Sequence, residues 1–295
     1  MEFLRSAVNS ILNQTYTNFE FIIVDDGSTD DSASIISQFK DSRIKFYKRE
    51  HKGITEQLNY GLRKAQGVYF ARMDADDISY HSRFEEQLKV LSEKKIDIVG
   101  SNIEYIDLKG KTIGFMKYPE EHEKIEFQMP IFQSVSHPTI LSRINCIKIL
   151  NGYNDFPFCE DFDFFLRILK AGYRFYNVQK ILLKYRFHYN YLKGEKHKIQ
   201  NKTHIYLAEN YIKDQTNPCE LNKYYFRLGL VHYYHGSMKD ARNNLLLSHR
   251  YSNSINSRIF RYLIPTFLGT KVFNFLRSQG IVMRIKNILF RNFRM

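Results

Sequence analysis

The sequence has little of what would take it out of the ordinary globular class. Three cysteines occur in 295 residues, at 146, 159 and 219. An odd number without metal-ligand spacing builds no disulfide framework and suits a reducing compartment better than a secreted one. No stretch reaches the roughly 18 uncharged apolar residues that a membrane-crossing helix needs, and the N-terminus lacks a basic-then-apolar signal pattern, so the expected location is cytoplasmic. No Gly-x-Gly-x-x-Gly turn follows an apolar run, which argues against a dinucleotide-dependent dehydrogenase, and no glycine-rich loop near the start speaks for a nucleotidyltransferase. Acidic residues are missing altogether after Asp240, while ten Lys or Arg follow.

What is present fits a folded protein of average make-up, with 43% hydrophobic and 25% charged residues. The length allows one large α/β domain and a smaller appendage, given domains of roughly 100–200 residues. The formal charge of +13 is uneven: residues 1–190 carry 26 Lys+Arg against 26 Asp+Glu, and residues 191–295 carry 18 against 5. The C-terminal excess is either a solvated basic face or a surface for an anionic partner such as phospholipid or nucleic acid.

Hydrophobic periodicity sets the order of elements. Phe3, Leu4, Ala7, Val8, Ile11 and Leu12 predict a helix, Phe19 to Val24 a buried strand, Ile35, Ile36 and Phe39 a second helix, and Ile44 to Tyr47 a strand. Ile54 to Ala65 predicts a helix stopped by Gly67, Val68 to Met73 a strand, residues 82–93 a helix and Asp97 to Ile106 another strand. This alternation predicts a mostly parallel sheet with crossover helices, an α/β fold. The pattern becomes irregular up to about residue 158. Phe162, Phe165, Leu166 and Leu169 then mark a helix ending at Gly172, and Ile181 to Phe187 a final strand, closing a first domain at residue 190. Residues 191–295 read as a basic helical region, with a break at Asn217-Pro218 and one tetratricopeptide-like hairpin around Gly229 and Gly236. Its tail, Phe267 to Met295, mixes apolar and basic residues as an interfacial helix does.

Several acidic clusters fall at the carboxyl ends of strands, the rim where open α/β sheets bind ligands. Asp25 and Asp26 could accept hydrogen bonds from a nucleoside, or simply cap the next helix. Asp74, Asp76 and Asp77 are hard oxygen ligands whose mutual repulsion a divalent cation, Mg²⁺ or Mn²⁺, would relieve. Glu160 and Asp161 open a helix, where acids complement the dipole; the functional alternative is that Asp161 acts as a general base. His188 and Arg186, at the end of the last strand, are candidates for a metal ligand and a phosphate contact, and His137 and Arg143 are weaker ones.

Taken in order, Asp25-Asp26-Gly27-Ser28, Asp74-Ala75-Asp76-Asp77, Glu160-Asp161 and Tyr185-Arg186-Phe187-His188 resemble the family 2 glycosyltransferases with the GT-A fold. Asn13-Gln14-Thr15-Tyr16, Arg83 and His137-Pro138-Thr139 also resemble its bacterial members. The resemblance covers residues 1–190. It implies an inverting transfer from a nucleoside diphosphate sugar, usually UDP-linked, with a divalent metal. Asp25, Asp26, Asp74, Arg83 and Arg186 would bind the nucleotide sugar, Asp76 and His188 the metal, and Asp161 with Glu160 would carry catalysis. The implied acceptor is a glycan or lipid-linked molecule of cell-surface polysaccharide synthesis, met at the inner membrane face, where the basic tail would contact anionic lipid. No nucleic acid is expected, since none of its recognition motifs occurs. Family members begin with an apolar strand and a loop that this sequence does not show ahead of Phe3. On that account the alternative expectation is a catalytically inactive protein that binds a nucleotide sugar, a membrane or a partner.

Overall fold

The computed structural model describes residues 2–188, 195–215 and 221–252 and positions 259, 262, 263 and 266. Two compact units emerge, residues 1–129 with 133–203, and residues 130–132 with 204–295.

The first unit opens with helix α1 (Glu2–Leu12), which buries Ala7, Val8 and Ile11, the inward stripe of its periodic pattern. Strand β1 (Phe21–Asp25), helix α2 (Ser32–Ser37) and strand β2 (Ile44–Lys48) follow, and the two strands pair in parallel with Phe21 opposite Ile44. Helix α3 (Ile54–Lys64) packs against β1. Next come β3 (Tyr69–Ala71), β4 (Ile78–Ser79), α4 (Arg83–Glu93), β5 (Ile98–Ile106), β6 (Thr112–Met116) and α5 (His122–Gln128). The irregular stretch ends in a 3₁₀ turn over His137–Thr139, β7 (Leu141–Arg143) and α6 (Ile144–Lys148), before α7 (Glu160–Lys170) and the long β8 (Phe175–Arg186).

The strands form two sheets rather than one. β1 and β2 stand as a pair, and the six others run in the order β3-β7-β5-β8-β4, with β6 also on β5. In the larger sheet only β5 and β8 are parallel; the β3–β7, β7–β5, β8–β4 and β5–β6 pairings are antiparallel. The mostly parallel sheet predicted from helix–strand alternation is thus corrected to a mixed one. The reason lies in the connections: β5 and β6 are joined by a hairpin too short for a parallel crossover, and β7 emerges from the stretch that carried no clear periodicity. β8 also begins six residues before its predicted start, because Asn177 interrupts the apolar pattern. That amide is buried, and its nitrogen donates to Pro119 O at 2.7 Å and Ser134 O at 3.0 Å, which satisfies both of its N–H groups inside the sheet.

Leu91, Val99, Leu141 and Leu182 form an apolar layer with Ile11 and Phe84. Phe162, Phe164 and Phe165 of α7 are also buried, so this amphipathic helix is anchored to the fold at its acidic first turn.

In the second unit α9 (Leu221–Tyr234) and α10 (Met238–Arg250) pack as a helical hairpin, as predicted around Gly229 and Gly236; helix α8 (Glu195–Gln215) precedes them. Gly229 permits the close approach, since a Cβ there would lie 2.7 Å from Leu245 Cγ. The predicted break at Asn217-Pro218 and the tail from Phe267 lie outside the described residues. No described helix is long and apolar enough to cross a membrane.

Candidate active site

The chain leaves β3 through Arg72 and turns through Asp74, Asp76 and Asp77 into β4. Arg72 is only 8% exposed. Its guanidinium grips Asp74 with both prongs, Nη1 donating to Oδ2 at 2.7 Å and Nη2 to Oδ1, the strong two-point geometry of an arginine–carboxylate pair. The same cation lies within electrostatic reach of Glu160 and Asp161, 88 and 89 residues away in sequence. A buried guanidinium is costly unless anions answer it, so the two acidic motifs and Arg72 stabilise one another.

Asp161 sits in the first turn of α7. Gln133 Nε2 donates to its Oδ2 at 2.7 Å, and the Phe162 N–H to its Oδ1 at 2.7 Å. Burial pushes the Asp161 carboxyl above the ordinary range, while Gln133 and Arg72 pull it back. Glu160 is pushed up to about 6 by burial and by the Asp161 charge. Asp163, one turn further in, is committed to structure: Arg167 Nε donates to it at 2.7 Å and Asn154 at 3.1 Å.

Asp76 reaches the other end of the site. Its Oδ2 lies 2.7 Å from His188 Nε2, just past the end of β8. Both groups are partly open to solvent, with side-chain exposures of 35% and 46%. Asp77 turns inward, where its Oδ1 accepts the Arg186 N–H at 2.8 Å and its buried Oδ2 has no hydrogen-bond partner. Burial and the nearby Asp74 push its carboxyl up to about 8.

Asp25 ends β1 of the two-stranded sheet, Asp26 follows it, and the two keep their own company. Asp25 is buried and accepts the Ser28 N–H at 2.9 Å. Asp26 accepts the N–H groups of Lys52 at 2.8 Å and Gly53 at 3.1 Å, the Gln57 amide, and an ion pair from His51 at 2.9 Å. Burial works against its ionisation, but these hydrogen bonds outweigh it and hold its pKa below the ordinary value. None of the interactions of Asp25 or Asp26 reaches Asp76 or Asp161 directly. Helix α3 links the regions instead: Gln57 holds Asp26, and two residues on Asn59 pairs with the backbone of Tyr153 through two bonds of 2.8 Å. The Tyr153 hydroxyl in turn lies 2.9 Å from His137 Nε2.

Four sequence candidates take a different place. Arg83 is 1% exposed, and its Nη1 donates to Arg72 O at 3.0 Å and Pro138 O at 2.8 Å, so it braces the acidic turn from within the core. Arg186 is likewise buried; it donates to Asp76 O at 2.8 Å and Asp107 O at 2.9 Å, and its guanidinium stacks 4.1 Å from the Phe3 ring. His137 lies in the core, held neutral by burial and by Arg72, and Arg143 donates to Leu91 O on α4. Arg72, Gln133, Gln57 and Tyr153 were not singled out in the sequence. For Arg72 a signal existed, a lone cation at the entrance of an acidic turn; the glutamines and the tyrosine carried none.

A cation would find a carboxylate oxygen and an imidazole nitrogen at Asp76 and His188. Among the described residues no group of three or more His, Cys, Asp or Glu is arranged to hold a metal. Two protein donors nevertheless fit Mg²⁺ or Mn²⁺ of the kind that completes its shell with substrate phosphates and water, and the mixed oxygen–nitrogen pair suits Mn²⁺.

Known proteins resemble this chain in sequence and in fold. The profile of the family described as Glycosyl transferase family 2 matches residues 2–148. The O-antigen biosynthesis glycosyltransferase WbnJ of Escherichia coli is 36% identical over 189 residues, which cover 62% of this chain and 73% of that protein. The uncharacterized glycosyltransferase MJ1057 of Methanocaldococcus jannaschii is 31% identical, covering 77% of this chain and 80% of its own. Two solved structures share the fold at a TM-score of 0.55: S. aureus TarS 1-349 in complex with UDP-GlcNAc, at 15% identity with 95% of this chain and 88% of that one covered, and the mannosyltransferase PcManGT from Pyrobaculum calidifontis with GDP-Man and Mn²⁺, at 14% identity with 93% and 83% covered. With its α/β architecture of the GT-A type and these relatives, the chain belongs to glycosyl transferase family 2.

Proposed function

We propose that this enzyme transfers a sugar from a nucleoside diphosphate sugar, most simply a UDP-sugar, to a hydroxyl of a glycan or lipid-linked acceptor, with inversion at the anomeric carbon. The observation that carries the reading is the buried Arg72, which faces Asp74 of the acidic turn and Asp161 of α7 together. Asp161 removes the proton from the acceptor hydroxyl as its oxygen bonds to the anomeric carbon, and the nucleoside diphosphate leaves from the opposite face. Gln133 fixes one carboxylate oxygen and thereby the direction of the other. Glu160 shapes the local field, and Asp26 and Asp25 hold the nucleoside. A divalent cation, bound by Asp76 and His188, would offset the charge on the diphosphate.

The likeness to an O-antigen biosynthesis enzyme supports cell-surface polysaccharide as the product class. The lack of a membrane-crossing helix among the described residues, together with the basic C-terminal sequence, supports peripheral work at the inner membrane face. The test is turnover of a panel of UDP-sugars and GDP-Man with Mn²⁺ by the wild type and by Asp161→Asn. The proposal expects release of nucleoside diphosphate by the wild type and its loss in the variant. Equal rates would remove Asp161 from its role, and nucleotide binding without turnover would leave a binding protein.

A further inference from the structure

The hairpin joining β5 to β6 presents apolar side chains to solvent. Leu108 is 50% exposed, Ile113 43% and Phe115 63%. Single exposed apolar residues are normal on any protein, but three within eight positions on one hairpin are not scattered. Lys109, Lys111 and Lys117 are exposed beside them, and none enters an ion pair among the described residues. The turn itself is well formed: Asp107 Oδ1 accepts the N–H groups of Lys109 and Lys111 at 2.9 Å each, and Gly110 takes φ +80°. These side chains are therefore displayed by an ordered element.

The hairpin is also fixed to the candidate active site. Arg186 donates to Asp107 O at 2.9 Å and to Asp76 O at 2.8 Å, so one guanidinium ties the base of the hairpin to the proposed metal ligand. The Phe187 N–H, next to His188, donates to Ile106 O at 2.8 Å.

We infer that the Leu108–Lys117 hairpin docks on an anionic lipid surface, its apolar side chains entering the headgroup layer and its three lysines meeting lipid phosphates. Charge complementarity selects this occupant. A polar glycan would leave Leu108, Ile113 and Phe115 unburied, whereas an anionic bilayer takes both kinds of group. Lysine stems can lie along apolar surface while their ammonium groups reach the phosphates. On the reading of this protein as a transferase to membrane-borne acceptors, docking would set the active-site rim at the headgroups; the docking itself does not depend on that reading.

The sequence contains no tryptophan, so a single introduced one reports its own surroundings. The experiment uses the full chain carrying Phe115→Trp, with Ile149→Trp as the control, since Ile149 at the end of α6 is 69% exposed. Each is mixed with phosphatidylglycerol vesicles, phosphatidylcholine vesicles and buffer alone, with brominated lipids as quenchers. The inference expects the Phe115→Trp emission to move to shorter wavelength and to be quenched with phosphatidylglycerol only, and Ile149→Trp to stay unchanged. Leu108→Ser should weaken vesicle binding roughly tenfold in sedimentation, the effect of losing one buried leucine.

Four results would overturn it: no vesicle binding at all; binding with an unshifted Phe115→Trp, which would credit the basic C-terminal sequence alone; equal shifts at both positions; or a shift without vesicles that grows with protein concentration, which would make a second copy the occupant. None of these readouts requires turnover, so a hairpin that fails to dock and an enzyme that fails to act are separate findings.

Discussion

Asp76 Oδ2 and His188 Nε2 meet at 2.7 Å, joining the acidic turn after β3 to the end of β8 across 112 residues of sequence. The pair is partly solvent-exposed, so the proximity is open to a ligand rather than locked in a core. As metal donors, Asp76 and His188 should show linked losses. Asp76→Asn and His188→Ala are each expected to raise the Mn²⁺ concentration for half-maximal turnover by about tenfold or more, the scale seen when parts of a metal site are removed. The double variant should lose less than the two effects combined, because both changes dismantle one site. Titrating Mn²⁺ into EDTA-treated protein checks this.

Asp161→Asn should lower the turnover rate by about 10²–10⁴, the range for a positioned general base, with the melting temperature little changed. Gln133→Leu gives the subtler test. The Gln133 hydrogen bond stabilises the charged form of Asp161 against the upward push of burial. Its loss raises that pKa further, so the acid limb of the rate profile should move to higher pH. A profile of kcat against pH for both proteins decides it; an unmoved limb would place the titrating base elsewhere.

The folding pattern and the acidic clusters were legible in sequence because both are local. Helix α3 ends before Gly67 as predicted, and α7 carries its apolar stripe at helical spacing. What could not be read is where long-range partners sit. Arg83 and Arg186 look like phosphate ligands by type and position, yet both are buried and donate to carbonyl oxygens of distant segments. Gln133 lies in a stretch without periodicity, so nothing local placed it against Asp161. The direction of β7 was hidden for the same reason.

Asp77 makes stability depend on pH. Its carboxyl, ordinarily near 3.8, is raised to about 8 by burial and by Asp74. The folded state therefore keeps a proton that the unfolded chain has already released, and stability falls as pH rises from about 4 to about 8. Asp77→Asn removes this dependence while its amide oxygen still accepts the Arg186 N–H. The variant should match the wild type near pH 4 and exceed it increasingly as pH rises toward 8 in EDTA, each unit of the raised pKa being worth about 1.4 kcal/mol. Urea unfolding at several pH values measures the difference, and parallel curves would contradict it.

Arg72 holds two motifs together, and its removal should cost more than activity. Arg72→Met leaves Asp74, whose side chain is 31% exposed, without its two-point partner, a loss of charged hydrogen bonds worth about 1.5–3 kcal/mol. It also removes the cation that favours ionised Asp161, so whatever activity survives should have its acid limb displaced upward. Arg72→Lys keeps the charge but not the fork geometry. It should restore most of the pH profile and little of the stability, a split that thermal unfolding and a pH–rate series can read separately.

Gly27 offers a test of nucleotide binding at a distance from the chemistry. Its φ is +75°, and a Cβ there would meet the His51 backbone nitrogen at 2.9 Å. Gly27→Ala thus forces a strained turn against the segment that supplies the Lys52 and Gly53 N–H groups to Asp26. The strain is worth about 1–2 kcal/mol and falls on the loop whose hydrogen bonds hold Asp26. If Asp26 holds the nucleoside, displacing this loop should weaken UDP binding by about tenfold in calorimetry, while turnover at saturating donor stays within a few fold because Asp161 and Arg72 do not share the loop. A loss of turnover with unchanged UDP affinity would instead place the Asp25–Asp26 turn in the chemical step and leave the nucleoside to be held elsewhere.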